Sequence, residues 1–254
     1  MEESSILYEV KDRIAYIMLN RPEKMNAFNL EMSAAMRDTW KRFEDDPEAQ
    51  VAVLTGRGKH FSSGIDLTDE QGEPWQYHEA YPRNGISVFK PIVGAIQGYA
   101  LGQGYIIAVY GCDITIAADN VMFGFPEGRI GVSLIPPQHT PYMHFKLHLE
   151  LLLLSWKGGR MVDARRAYEA GIVNKVVPES ELMDEAVRWA ELLKGIPPLY
   201  IKSVKYGLYT GIERKTTRDE REYIDFILPQ EVSQDKQEAM RAFLEKREPH
   251  FTGK

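Results

Sequence analysis

The chain has 254 residues, 44% of them hydrophobic and 27% charged, with a formal net charge of -6. That composition suits one large water-soluble domain or a domain with a helical appendage, and the negative balance argues against a general nucleic-acid surface. A single cysteine excludes an internal disulfide and any cysteine-rich metal site, which makes the cytoplasm the expected compartment.

The opening MEESSILYEV is acidic and lacks a basic stretch followed by an apolar core, so no secretory signal is expected. No apolar run is long enough to suggest a membrane span. Residues 14–19 (IAYIML) read as a buried strand, ended by Asn20-Arg21-Pro22. Asn29 is placed to cap a helix in which Met32, Met36, Trp40 and Phe43 recur at helical spacing. Residues 51–55 (VAVLT) form a second strand, followed by a small-residue turn, Phe61 to Leu67, in which backbone N–H groups can face a ligand. The polar and aromatic stretch 68–82 reads as a loop or weak helix: a lid, a pocket wall, or a surface loop whose aromatics pack down on the body. Strands are expected at 91–96 and 112–117, with the Gly-rich turn Gly98 to Gly104 between them.

Beyond residue 137 the strand signal fades. Helices are expected at 144–156, 163–170 (closed by Gly171), 179–193, 199–209, 217–228 and 231–246, with a short strand at 172–177. On the helix 179–193, Leu182, Ala186, Trp189, Ala190 and Leu193 share one face. Strands alternating with helices predict an α/β fold with βαβ crossovers. The expected boundary divides a core, 1–196, from a helical region, 197–254. Such a late helical layer often packs on another subunit, so a homo-oligomer is expected.

Glu127 lies between Phe125-Pro126 and Gly128, an acid among apolar and chain-punctuating residues, and is a candidate for a shifted pKa and proton transfer. His139, in the proline-stiffened run 131–141, is a second acid/base candidate, because histidine titrates near neutrality.

Several segments, in order, resemble those of the crotonase, or enoyl-CoA hydratase/isomerase, superfamily. They are Asn20-Arg21-Pro22-Glu23-Lys24-Met25-Asn26-Ala27, Phe61-Ser62-Ser63-Gly64-Ile65-Asp66-Leu67, Ala95 to Gly102, Cys112-Asp113-Ile114, Phe123-Gly124-Phe125-Pro126-Glu127 and Gly171 to Pro178. The resemblance implies a crotonase-like spiral of ββα units with a C-terminal helical trimerisation region, as a trimer or a dimer of trimers. It implies an acyl-CoA thioester as substrate, with coenzyme A as part of that substrate, and no metal or separate cofactor. Two backbone N–H groups, matched to Ser63 and Gln103, would stabilise a thioester enolate. Arg21 and Lys24 would approach the CoA phosphates and adenine. The substrate would also lie against Ala27, Ser62, Gly64, Ile65, Asp66, Leu67, Tyr105, Ile106, Phe125 and Pro126.

The chain departs from that pattern in one chemically important respect. Hydratases of the family carry a first glutamate on the helix after the Gly-rich turn. Counting forward from the turn puts Ile106 there; counting back from Cys112-Asp113 puts Ile107 there, because one extra residue separates the two landmarks. Either way the carboxylate is gone, and only Glu127 remains. The expectation is a single-glutamate isomerase or hydratase-lyase. The alternatives are a C–C bond hydrolase using His139, and a non-catalytic acyl-CoA-binding scaffold.

Overall fold

The computed structural model describes residues 4–69, 72–82, 86–131, 145–156, 160–216, 234–247 and 249–250. The chain divides into two compact units, 1–123 with 162–207, and 124–161 with 208–254. This division does not follow the expected break at 196/197. The start of the C-terminal helical region belongs with the sheet.

The first unit is built on a six-stranded sheet of order β1-β2-β3-β4-β6-β9. Its strands are β1 (Ile6–Lys11), β2 (Ile14–Leu19), β3 (Val51–Gly56), β4 (Ile92–Ile96), β6 (Ile114–Ala118) and β9 (Lys175–Val177). β1 is antiparallel to β2, and the remaining pairs are parallel. Parallel strands need both faces covered. On one face Ile14, Val51, Val53, Val93, Ala95, Ile116, Ala118 and Val177 pack with Leu182, Ala186 and Ala190 of α6 (Leu182–Lys194). Trp189 and Leu193 join that cluster, as the helical spacing predicts. The alternate residues Ala15, Ile17, Ala52 and Leu54 point the other way and are equally buried. The helix α1 (Leu30–Asp45) buries Met32, Met36, Trp40 and Phe43, and the Asn29 side chain caps it by accepting the Met32 N–H.

A second sheet of three short strands has the order β5 (Tyr99–Leu101), β7 (Met122–Gly124), β8 (Val162–Asp163). The remaining elements of the first unit are α2 (Pro74–His78), α3 (Gln103–Ile106) and α5 (Ala164–Glu169). A π-helical turn, Ile107–Gly111, follows α3 directly. The helix α7 (Pro198–Thr216) begins in this unit. Lys205 on α7 is buried, and its Nζ donates to Asp113 Oδ2 at 2.7 Å and to the Lys90 carbonyl at 2.8 Å. Asp113 Oδ2 also accepts the Ile92 N–H at 2.8 Å, so one carboxylate joins α7 to the starts of β4 and β6.

In the second unit, a 3-10 turn (Pro126–Arg129) packs against α4 (Phe145–Leu154). The unit also holds α8 (Gln234–Glu245). The helix expected at 217–228 and the candidate His139 lie outside the described residues. No helix among the described residues is long and apolar enough to cross a membrane.

Candidate active site

The loops that leave the C-terminal ends of β2, β3 and β4 carry the segments singled out in the sequence. In parallel sheets this is the end where ligands bind. Loop 20–27 turns through Met25 and Asn26, both with positive φ (51° and 52°), a conformation that asparagine tolerates better than most residues. Asn26 is fully buried and organises the region. Its Oδ1 accepts the Arg21 N–H at 2.9 Å, and its Nδ2 donates to the carbonyls of Arg57 (3.0 Å) and His60 (2.8 Å).

Arg21 Nη1 donates to the Ala27 carbonyl and Nη2 to Asp66 Oδ2 at 3.0 Å, which braces loop 20–27 against loop 61–68. Part of the Arg21 fork is thus engaged inside the protein, with the side chain 15% exposed. Lys24 stays at the surface, its Nζ 3.3 Å from Thr68 Oγ1. Burial pushes the Asp66 carboxyl upward. The Thr68 hydroxyl and N–H together with Arg21 outweigh it, so the group sits below its usual range and acts as a charged brace. Ser62 is also structural: Oγ donates to the Asn26 carbonyl at 2.8 Å and accepts the Gly64 N–H at 3.2 Å.

The Ser63 N–H donates to the Met25 carbonyl at 3.0 Å and is not available to a ligand. This corrects the expectation drawn from the motif. The available donor is two residues on. Phe28 and Ile65 form an isolated parallel bridge. In it the Phe28 N–H donates to the Gly64 carbonyl (2.7 Å) and the Asp66 N–H to the Phe28 carbonyl (2.8 Å). A parallel bridge uses the groups on either side of Ile65, so Ile65's own N–H is directed away from the partner strand. It has no hydrogen-bond partner among the described residues.

Gln103 supplies a second such donor. It opens α3 after Gly102 (φ 51°), and the N–H groups of a first helical turn have no intrahelical acceptor. Its N–H also has no partner among the described residues. The two turns abut at Gly64, whose φ of +100° needs glycine. A β-carbon there would lie 3.1 Å from the Leu101 carbonyl oxygen and 3.7 Å from the Gln103 nitrogen. The touching turns thus present two backbone N–H groups that have no partner among the described residues, the kind of donor an oxyanion hole needs.

The helix that follows is wholly buried from Gln103 to Ile106. Tyr105 is packed edge-on against Tyr110 and Phe123 at 5.7 and 5.8 Å, so it belongs to the core rather than to an open substrate surface. Burial first, and Tyr110 second, raise its hydroxyl well above the ordinary tyrosine value. The π-turn explains the extra residue noted in the sequence. The Cys112 N–H reaches back five residues to the Ile107 carbonyl at 3.1 Å, so the insertion is absorbed after Ile106. The forward count therefore stands, and Ile106 occupies the place of the first glutamate.

The stretch 72–82 is held to the body of the unit at three points. Trp40 Nε1 donates to the Ala80 carbonyl (2.8 Å), Arg37 pairs with Glu79 (2.7 Å), and Gln103 Nε2 donates to the Tyr77 carbonyl (3.0 Å).

In the second unit, Phe125 is buried and its N–H donates to Ser155 Oγ at 2.6 Å, which seats the turn carrying Pro126 and Glu127 on the end of α4. Glu127 Oε2 is buried and has no hydrogen-bond partner among the described residues. Burial raises this carboxyl from 4.5 to about 7, and a contact with its own N–H opposes the rise only in part. The sign of the consequence is fixed. Between pH 4.5 and 7 the folded chain holds a proton that the unfolded chain has lost, so stability falls as pH rises through this window. Above it the penalty is full, at most about 3.5 kcal/mol, at about 1.4 kcal/mol per pKa unit. Glu127→Gln is therefore expected to melt several degrees above wild type at pH 8 and level with it near pH 4. Thermal unfolding at the two pH values checks this.

Against known proteins, the family model for enoyl-CoA hydratase/isomerase matches residues 9–254. The chain is 33% identical to (E)-benzylidenesuccinyl-CoA hydratase of Thauera aromatica, over 98% of this chain and 99% of that one. It is 30% identical to crotonyl-CoA hydratase of Syntrophomonas wolfei over the full length of both. Among solved structures it is similar to an enoyl-CoA hydratase/isomerase of Pseudoalteromonas atlantica (TM-score 0.84, 27% identity, 98% of this chain and 100% of that one). It is also similar to carnitinyl-CoA hydratase of Mycobacterium avium (TM-score 0.82, 28% identity, full coverage of both). The protein described here, an α/β chain with the crotonase fold, belongs to the enoyl-CoA hydratase/isomerase family and is an enzyme of acyl-CoA chemistry.

Proposed function

We propose that this enzyme moves protons on a 2-enoyl-CoA thioester with one carboxylate, Glu127, while the N–H groups of Ile65 and Gln103 hold the thioester oxygen. The observations that carry the reading are an isoleucine at 106 and a glutamate at 127 whose Oε2 is buried with no partner among the described residues and whose pKa is raised to about 7. A base and acid that must act in turn at neutral pH works best with a pKa close to the operating pH.

Hydration is the favoured reaction, since the two relatives above are named hydratases. Ionised Glu127 takes a proton from water as the water oxygen bonds to Cβ. The electrons of the Cα=Cβ bond move into the thioester, and the two N–H groups receive the developing oxyanion. Glu127 then returns the proton to Cα. One water is added, the carboxylate is regenerated, and no second acid is required. Isomerisation of a 3-enoyl-CoA is the second reading, favoured by the loss of the first carboxylate. There Glu127 takes the proton from Cα and returns it to Cγ, using the same two donors.

Coenzyme A enters as part of the substrate, with Lys24 a surface cation on loop 20–27. We also propose a homo-oligomer. Exposed Phe145, Leu149 and Leu153 on α4 give it apolar surface to cover. Light scattering of the purified protein tests this.

The oxyanion hole has its own test. Gly64→Ala forces a side chain into left-handed backbone and toward the Leu101 carbonyl. Kinetics on crotonyl-CoA are expected to show kcat lowered roughly 10²-fold or more, the typical effect of losing one such donor. An unimpaired Gly64→Ala enzyme would remove Ile65 and Gln103 from the mechanism.

A further inference from the structure

The oxyanion turn carries a polar group that the reaction so far leaves idle. Gln103 is 2% exposed, and its Nε2 donates to the Tyr77 carbonyl. The reverse orientation would set two acceptors against each other, so the Tyr77 carbonyl determines which way the amide faces. Oε1 is then buried, and it accepts no hydrogen bond among the described residues. Leaving a buried acceptor unsatisfied costs about 1–3 kcal/mol. Native proteins rarely keep such a group without a use for it.

Residues three apart on a helix share a face. Gln103 and Ile106 stand in that relation on α3. The helix face that carries isoleucine in place of the first carboxylate thus carries an amide oxygen one turn earlier.

We propose that Gln103 Oε1 accepts a hydrogen bond from the water that adds to the enoyl chain and so orients it. An amide oxygen orients a water molecule but does not take its proton. It supplies the positioning half of what a second carboxylate would do and leaves proton transfer to Glu127. The proposal rests on the hydration reading and names the residue that positions its nucleophile.

The test compares two reactions of one enzyme. Hydration of crotonyl-CoA needs the positioned water. Exchange of the α-hydrogen of butyryl-CoA in deuterated water needs the oxyanion donors and Glu127, but no added water at Cβ. In Gln103→Met, hydration is expected to fall at least tenfold more than exchange. Gln103→Glu, when protonated, can still donate to the Tyr77 carbonyl and offer an acceptor. It is expected to regain hydration below the pH at which its new carboxyl ionises. Thermal unfolding of each variant controls for the fold. If hydration and exchange fall by the same factor, Gln103 acts only through its backbone and the proposal is overturned. A Gln103→Met enzyme that hydrates like wild type overturns it equally. A wild type that exchanges the α-hydrogen but never adds water overturns the hydration reading, and this proposal with it.

Discussion

Glu127→Gln is expected to lower kcat on an enoyl-CoA by roughly 10²–10⁴-fold, the range general acid–base groups contribute. Glutamine keeps the size and polarity of the side chain and removes only its ability to exchange a proton. KM is therefore expected to change much less than kcat. The effect should be at the upper end of the range, because no second carboxylate stands at position 106 to carry part of the work. Steady-state kinetics at pH 8, where wild-type Glu127 is ionised, measure it. The same substitution removes the penalty of a buried charge at that pH, so the inactive variant should also be the more stable one. Loss of activity with a gain in melting temperature separates loss of a proton carrier from general damage to the fold.

The second large effect concerns stability. Lys205→Met removes the cation that pairs with Asp113 at 2.7 Å, beside the Ile92 N–H that the same carboxylate accepts. Breaking a buried pair from one side typically costs about 3–5 kcal/mol. A loss of that size should lower the melting temperature by on the order of 10 °C in a chain of this length. The double variant Lys205→Met/Asp113→Asn is expected to recover much of the loss, since a neutral amide needs no counter-charge. Melting of the two single variants and the double variant measures the coupling directly. A Lys205→Met protein that melts like wild type would show that α7 is held by its apolar contacts alone.

Long apolar runs and helix caps are legible in the amino-acid sequence alone. The strand at 14–19 and the Asn29 cap appear where the residues place them, and the buried face of α6 carries the residues read from its spacing. The edge strand β1 is not legible in the same way. Its sequence ILYEVK is half exposed and gives no unbroken apolar run. The strands β5, β7 and β8 have only two or three residues, too few for periodicity to register. The expected strand at 172–177 shortens to Lys175–Val177, because Ile172 and Val173 are buried in the turn before it rather than in the ladder.

The site is partly legible for a physical reason. Motifs say which loops matter, and they say little about which N–H in a loop is free. That depends on the Phe28–Ile65 bridge, a pairing between residues far apart in sequence, and it moves the donor from Ser63 to Ile65. Arg21 shows the same limit: its charge suggests a phosphate, and only the fold reveals its ion pair with Asp66. By contrast, the one-residue excess before Cys112 is countable from sequence, and the π-turn is its structural form.

The most direct test of the central claim is the pH dependence of kcat/KM for wild-type enzyme on crotonyl-CoA. One carboxylate that must start ionised predicts a single rise with midpoint near pH 7 and a plateau above it. A bell-shaped profile, which requires a separate acid and base, or a midpoint near the ordinary carboxylate value, would contradict the account.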